Sequence, residues 1–343
     1  MGVRHLKCAG LLLAFAAAAP AQFSQLAVTD DASEVYFLTT LRLLSEAPKH
    51  LPNTGSIYRL FDRVVTAVTT PPPSVSYPAF SSRFVGNPQV SGDGTVFSYT
   101  DSFICRDSYC NCPVCPFQSS VSSLVFVGGH YGSALPGNAQ VSRNGRFLLA
   151  AGELLDRQTG QVLWWSGQPG SNRQALTSAG AVLGIGPLAL YSIQSTLTLT
   201  SGAQPVGAIV NDTGAWVIYW SPSSDLHSIE LSTATDRLLA PAAQPSPSIS
   251  NDGSLVLYLS GHPAQAFLIR PDGTGRRQLT NFSEGITEAV LSGNGQTVVA
   301  VAGPRIVSID ISTGAIRGLL SAPLACGESA FSPTPRPCIE PHR

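Results

Sequence analysis

Ile249-Ser250-Asn251-Asp252-Gly253-Ser254-Leu255-Val256-Leu257-Tyr258 is the stretch that decides the fold. It contains an apolar residue, a small polar residue, a turn that ends in glycine, and then a run of β-strand formers. Asn-Asp-Gly favours a tight turn because these residues tolerate a positive φ angle. The run after the turn is continuously apolar, which indicates a strand packed between two neighbouring sheets. The stretch therefore predicts a hairpin whose strands are buried on both faces.

The same pattern recurs along the chain. Four further copies and one divergent first copy are Val90–Tyr99, Val141–Leu149, Ile209–Tyr219, Leu291–Val299 and Val28–Leu38. The copies continue into a second hairpin, of which Ala266–Thr280 is the best example. Two successive hairpins make a four-stranded antiparallel sheet, which is one blade of a β-propeller. The sequence thus predicts an all-β propeller of such blades.

The number of blades follows from the spacing of the turns. The last residue of the turn falls at positions 32, 94, 145, 214, 253 and 295, and the last two intervals, 39 and 42 residues, match a blade of about 40–45 residues. The 69-residue interval before position 214 is long enough for a degenerate fourth blade, with strands expected at Leu188–Ile193 and Thr196–Thr200. We predict seven blades, with six as the alternative.

One second hairpin carries a family resemblance. The run Ile269–Asn281 resembles the TolB-type, WD40-like (PD40) propeller repeat, in which a strand is followed by a D-x-D-G turn and then by R-x-L-T. The S-x-D-G turns resemble the P-x-W-S-P-D-G turn of that family, although Trp-Ser-Pro is replaced here by Val-Ser, Val-Asn or Leu-Ser. The resemblance spans roughly residues 25–320 and implies a propeller without implying an activity.

The two ends of the chain lack the repeat. Arg4, His5 and Lys7 precede an apolar run, and Ala19-Pro20-Ala21 supplies the small residues that a signal peptidase requires. We therefore expect a signal peptide at 1–21, a propeller at 22–321 and a Pro-rich tail at 322–343. The protein is expected to be secreted or periplasmic. The apolar run is too short to span a membrane.

Composition limits the partners. The net charge of −1 and the 12% content of charged residues do not fit a nucleic-acid surface, whereas 43% hydrophobic residues allow a large core. We expect no nucleic acid, no membrane span and a monomer.

The cysteines form the sharpest local motif. Cys105, Cys110, Cys112 and Cys115 lie within eleven residues, and Cys326 and Cys338 lie in the tail. An exported chain meets an oxidising compartment, so we expect disulfides, with 105 and 110 pairing with 112 and 115, and 326 pairing with 338. A zinc site made by the first four cysteines, or redox exchange at the C-x-x-C motif, is the alternative.

No catalytic motif is present in the sequence. It contains neither His-Glu-x-x-His nor G-x-S-x-G, and we assign no catalytic residue, cofactor or metal. The acidic turns are expected to serve turn chemistry, with calcium binding as the alternative. We expect a non-enzymatic scaffold that binds a protein or carbohydrate partner through loops on its faces. The alternatives are a glycan lyase or hydrolase with a site in the central channel, and a fragment of a larger multidomain exported protein.

Overall fold

A computed structural model describes residues 23–41, 43–44, 55–69, 82–104, 120–164, 173–185, 188–192, 195–199 and 201–322. These residues form seven sheets, each made of four consecutive antiparallel strands. The prediction of seven blades is confirmed, and the alternative of six is wrong. Within the described ranges the chain forms no helix, and so none long and apolar enough to cross a bilayer. The expected signal peptide and most of the tail lie outside these ranges.

The strands follow one another around the ring, blade by blade. Blades 1 to 3 are made of β1 (Ser24–Val28), β2 (Glu34–Thr39), β3 (Ser56–Phe61) and β4 (Val64–Ala67); β5 (Ser82–Val90), β6 (Val96–Ile104), β7 (Ser120–Val127) and β8 (His130–Pro136); and β9 (Gln140–Val141), β10 (Phe147–Ala150), β11 (Glu153–Asp156) and β12 (Gln161–Trp164).

Blades 4 to 7 are made of β13 (Arg173–Leu176), β14 (Val182–Ile185), β15 (Leu188–Tyr191) and β16 (Thr196–Thr198); β17 (Gly207–Val210), β18 (Trp216–Trp220), β19 (Leu226–Glu230) and β20 (Thr235–Ala240); β21 (Ser248–Ile249), β22 (Val256–Ser260), β23 (Gln265–Ile269) and β24 (Arg277–Gln278); and β25 (Glu288–Leu291), β26 (Thr297–Ala302), β27 (Arg305–Asp310) and β28 (Ile316–Ser321).

The fourth blade is complete. Its second hairpin, β15 and β16, lies where the sequence predicted it, while its first hairpin turns at Thr177–Gly180, a copy of the pattern that the spacing argument did not locate. Gly180 has a φ of +79°, like the glycine at the same place in the other copies, and in blade 1 Ala32 adopts +56° there. The turn geometry is thus common to all seven blades.

The core lies between the sheets. Leu257 and Leu268 of blade 6 pack against Val298 and Ile309 of blade 7, and equivalent clusters fill the interfaces around the ring. Burial on both faces explains why the strands are continuously apolar.

The two faces of the disc differ. Because the strands are antiparallel, the first and third turns of every blade lie on one face, here called the turn face, and the second turn and the connection between blades lie on the other, the stem face.

Candidate functional site

A buried polar residue organises the first turn of every blade. In blade 6 the Ser250 hydroxyl donates to Asp252 Oδ1 at 2.6 Å and accepts from the backbone N–H of Leu255 at 3.1 Å. The residues at this position are at most 3% exposed, and they are Thr29, Ser91, Ser142, Thr177, Asn211, Ser250 and Ser292. The acidic side chains of these turns therefore engage in turn chemistry, as in blades 1, 2 and 6.

Other residues of each first turn join neighbouring blades. Hydrogen bonds from one turn to the next run around the axis without a break, and we call this set the turn ring. It comprises Asp30 N to Gly92 O (2.8 Å), Gly92 N to Arg143 O (2.5 Å), Asn144 N to Ser178 Oγ (3.1 Å), Ser178 N to Asp212 Oδ1 (2.8 Å), Asn211 Nδ2 to Asn251 O (3.1 Å), Asn251 N to Gly293 O (2.8 Å) and Asn294 N to Asp30 O (2.9 Å).

Arg143 spans the mouth of the channel on the turn face. Its Nη2 lies 2.6 Å from Asp30 Oδ1 in blade 1, and its Nε donates to Asn251 Oδ1 in blade 6 at 3.2 Å. Room for this bridge exists because residue 293 is glycine, where a Cβ would lie 1.9 Å from Asp30 Oδ1 and 2.5 Å from Arg143. Arg143 is thus paired with Asp30, while the Asp212 carboxylate at the same turn position of blade 5 accepts from the Ser178 N–H.

Blades 7 and 1 close the ring without sharing a sheet. The Glu288 carboxylate of β25 accepts hydrogen bonds from the backbone N–H groups of Gln25 (2.7 Å) and Leu26 (2.6 Å) in β1. The Gln25 side chain in turn accepts from the Asn87 N–H of blade 2 at 2.5 Å. The Glu288 side chain therefore links the first strands of blades 7 and 1, which do not pair with each other.

A buried polar cluster ties blade 5 to the segment that leads into it. Tyr219 Oη donates to Asp236 Oδ2 at 2.6 Å, and His227 Nδ1 lies 3.3 Å from Asp236 Oδ1. Burial, together with the hydrogen bond to Asp236, raises the pKa of Tyr219. The same carboxylate accepts from the Gly202 N–H, and the Ala203 N–H donates to Tyr219 Oη at 3.4 Å. His227 is thus a strand residue whose side chain is engaged within the blade.

Blade 2 extends beyond the others. Its strands have 9, 9, 8 and 7 residues, whereas the second strand of the other blades has four to six. At about 3.3 Å per residue, the extra three to five residues of β6 add about 10–17 Å. The extension lies on the stem face, where β6 pairs with β5 and β7 as far as Ile104 and Phe103. We call it the blade 2 stem.

The stem carries exposed apolar side chains. Ser102 pairs with Phe84 on one side and with Val121 on the other, which places the three residues in one row across the sheet. Phe84 is 54% exposed and Val121 is 38% exposed. On the opposite face of the stem, Val85 and Asp101 are buried. The row is therefore a one-sided apolar surface near the tip of the stem.

The cysteines predicted as disulfides, or alternatively as zinc ligands, lie outside the described residues. In the sequence, Cys105, Cys110, Cys112 and Cys115 fall between β6 and β7, and Cys326 and Cys338 belong to the tail. Within the described part of the chain, no three His, Cys, Asp or Glu side chains group closely enough to hold a metal ion. Sequence reasoning missed the Arg143 bridge and the stem, although Arg143 occupies a repeat position.

The likeness of this chain to known proteins concerns its fold. No protein-family model and no curated protein sequence matches the chain. A structure of PorZ, a bacterial surface component of the type-IX secretion system of Porphyromonas gingivalis, matches with 10% identity over 90% of this chain and 39% of that one, at a TM-score of 0.54. The WD40 repeats of RRP9 match with 12% identity over 83% of this chain and 88% of that one, at 0.50.

TolB from Acinetobacter baumannii matches at a TM-score of 0.41 with 14% identity over 75% of this chain, which spans about half, 53%, of the TolB chain. The architecture rests on the seven consecutive four-stranded sheets and on their likeness to WD40 repeats. The described residues form a seven-bladed β-propeller, and its fold is similar to that of WD40-repeat propellers.

Proposed function

We propose that the protein is an exported scaffold that binds a protein partner through the blade 2 stem. The observation that carries this proposal is the pair of exposed apolar side chains, Phe84 and Val121, on a stem that extends beyond the face of the disc. Exposed large apolar side chains on a rigid sheet are typical of protein contact surfaces. In the sequence, the cysteine motif falls between β6 and β7, the two central strands of the stem.

Export is supported by the leader-like sequence and by the start of the fold. Phe23 follows the expected cleavage site by two residues, is 1% exposed, and packs edge-on against Phe37 at 5.4 Å. N-terminal sequencing of the chain recovered outside the cytoplasm should begin at Gln22. Recovery of the intact chain from the cytoplasm alone would contradict export.

We also propose that Cys105, Cys110, Cys112 and Cys115 form two disulfides that stiffen the tip of the stem. Thiol titration of the denatured protein, with elemental analysis, tests this. We expect no free thiol from this cluster, and four free thiols with one zinc per chain would replace the disulfides by a metal site.

Site-specific photo-crosslinking tests the docking surface. A photoreactive residue at position 84 or 121 should give a discrete cross-linked protein in the organism that makes the chain, and the double variant Phe84→Ser/Val121→Thr should lose that partner. Val162 and Leu197 are matched controls, because they are 53% and 45% exposed but lie on the outermost strands of blades 3 and 4. The same products from all four positions, or none from 84 and 121, would contradict the proposal. Glycan-array binding that the double variant loses would replace the protein partner by a carbohydrate.

A further inference from the structure

Three arginines occupy the same place in successive blades. Arg237, Arg277 and Arg317 are spaced by forty residues and lie on the outermost strand of blades 5, 6 and 7, opposite Ser228, Leu268 and Ser308 of the preceding strand. Their shared register places them on the side of each blade that contacts the next blade along the chain.

Two of these arginines bind the third turn of the next blade. Arg237 Nη1 donates to the carbonyl oxygen of Asp272 at 3.1 Å, and the neighbouring Ser228 hydroxyl donates to that of Pro271 at 2.6 Å. Arg277 Nη2 donates to the carbonyl oxygen of Ile311 at 2.5 Å. The outer part of these two interfaces is therefore filled by a loop of the next blade that supplies carbonyl acceptors.

The interface between blades 7 and 1 lacks such a loop. The third turn of blade 1 has only two residues, Asp62 and Arg63, whereas blades 6 and 7 have seven and five residues there. The space is a cleft of about 860 Å³ between the two blades. Phe61, which is half-exposed, and Leu319 supply apolar side chains to it, and the side chains of Ser308 and Arg317 line it without a hydrogen-bond partner among the described residues.

Blade 2 provides an internal comparison. Its third turn is also short, Gly128–Gly129, but the blade 1 residues in the equivalent register are already engaged. Arg59 is paired with Glu34 through Nη2 and Oε1 at 2.5 Å, and Thr66 Oγ1 donates to the Arg59 carbonyl at 3.4 Å. Within the described chain, only the cleft between blades 7 and 1 combines a missing loop with free donors of this kind.

Two arginines of the cleft can bind a carboxylate. Arg63 and Arg317 both line it, and the Asp31 carboxylate is engaged by the Thr29 hydroxyl and the Ser33 N–H, both at 2.9 Å. The lining thus carries two guanidinium groups, Arg63 and Arg317, and two carboxylates, of which Asp31 is held by its own turn while Asp62 is not. The loops that fill the two preceding interfaces each contain an aspartate within an Asx turn, Asp272 and Asp310.

We propose that the cleft between blades 7 and 1 binds an acidic β-turn of a protein partner, which takes the place of the missing loop. The carbonyl oxygens of the turn accept hydrogen bonds from Ser308 and Arg317, and its carboxylate faces Arg63 and Arg317. An apolar side chain of the turn packs on Phe61 and Leu319. The site lies on the turn face, opposite the blade 2 stem, so its test is independent of the proposal that the stem binds a partner.

A peptide taken from the chain itself is the probe. We would cyclise the seven-residue sequence Ile309–Ala315, which contains the Asx turn and the carbonyl that Arg277 binds, and titrate it into the full-length protein by calorimetry. We expect one-to-one binding with Kd below about 1 mM, weakened roughly ten- to hundred-fold by Arg317→Gln, since a charge-assisted hydrogen bond is lost. Arg270→Gln, an exposed loop arginine of blade 6 outside the cleft, should leave binding unchanged, and a peptide with asparagine for its aspartate should bind more weakly.

A loop graft guards against loss of folding in the variants. Replacing the Asp62–Arg63 turn with the sequence of residues 311–315 should fill the cleft, abolish peptide binding and raise the unfolding temperature. The proposal is overturned if the peptide does not bind the unmodified protein, if Arg317→Gln binds it as well as the unmodified protein does, or if the folded graft still binds it.

Discussion

Ser250→Ala is the sharpest test of the repeat. The substitution removes a hydroxyl that is completely buried, that donates to the Asp252 carboxylate at 2.6 Å and that accepts from the Leu255 N–H at 3.1 Å. Loss of a hydrogen bond to a charged group costs about 1.5–3 kcal/mol, and leaving a buried donor without a partner costs about 1–3 kcal/mol. These two costs overlap because the turn relaxes, so we expect the free energy of unfolding to fall by about 2–4 kcal/mol.

The matched control is Ser254→Ala in the same turn. Ser254 is exposed, and its hydroxyl contacts Ser250 at 3.4 Å and hydrogen-bonds to the Asp252 carboxylate at the surface, so its loss should lower the free energy of unfolding by less than about 1 kcal/mol. Urea unfolding followed by circular dichroism measures the midpoints of both variants. Equal m-values show that the variants expose the same surface on unfolding. Equal midpoints for the two variants would refute the view that the buried hydroxyl holds the turn.

The same variant has a pH signature. Burial raises the pKa of Asp252, but hydrogen bonds from the Ser250 hydroxyl and the Ser254 N–H outweigh burial, and the net shift is downward from 3.8. A depressed folded pKa contributes stability above the unfolded value, and that contribution is lost as the pH falls through the folded value. The difference in the free energy of unfolding between Ser250→Ala and the unmodified protein should therefore become smaller below about pH 3.8. A difference that stays constant down to pH 2 would contradict this origin.

Three further predictions concern the ring and its turns. Gly293→Ala should lower the free energy of unfolding by about 2 kcal/mol or more, because its Cβ would clash with the Arg143 bridge. Gly318→Ala, with open space around its Cβ, should change that free energy by less than about 0.5 kcal/mol. Thermal unfolding compares the two variants. Glu288→Gln should lower the free energy of unfolding by about 1.5–3 kcal/mol, because an amide group cannot accept from both N–H groups of β1. Amide hydrogen exchange of β1 should accelerate in this variant. An unchanged exchange rate would contradict the role of Glu288 in closing the ring. Hydrogen bonds from Ser312 and Thr313 lower the pKa of Asp310 to about 2, so its carboxyl carbon resonance should titrate near that pH, and a midpoint near 4 would contradict those bonds.

Local chemistry made most of the fold predictable. The turn pattern located six of the seven first hairpins, because a positive φ after a small polar residue requires glycine or another tolerant residue at one position. In the missed copy, Thr177–Gly180, alanine precedes the last turn residue, where the other six copies have Asp, Asn or Thr, so the turn geometry is the same while the sequence pattern differs. The length of the blade 2 stem was not predicted, because Val96–Tyr99 alone does not show where the strand ends.

By itself the sequence determined the repeat: the hairpins, the residue that holds each turn, and the antiparallel four-stranded blade. These depend on interactions between residues a few positions apart, which leave a local pattern of residue types. Only the tertiary structure decided what stands at the axis and between blades 7 and 1. Arg143 and Asn251 are separated by 108 residues and meet because closing the ring brings equivalent turn positions to one point. The cleft beside Arg317 likewise exists because two blades distant in sequence become neighbours, one with the donors and the other without the loop.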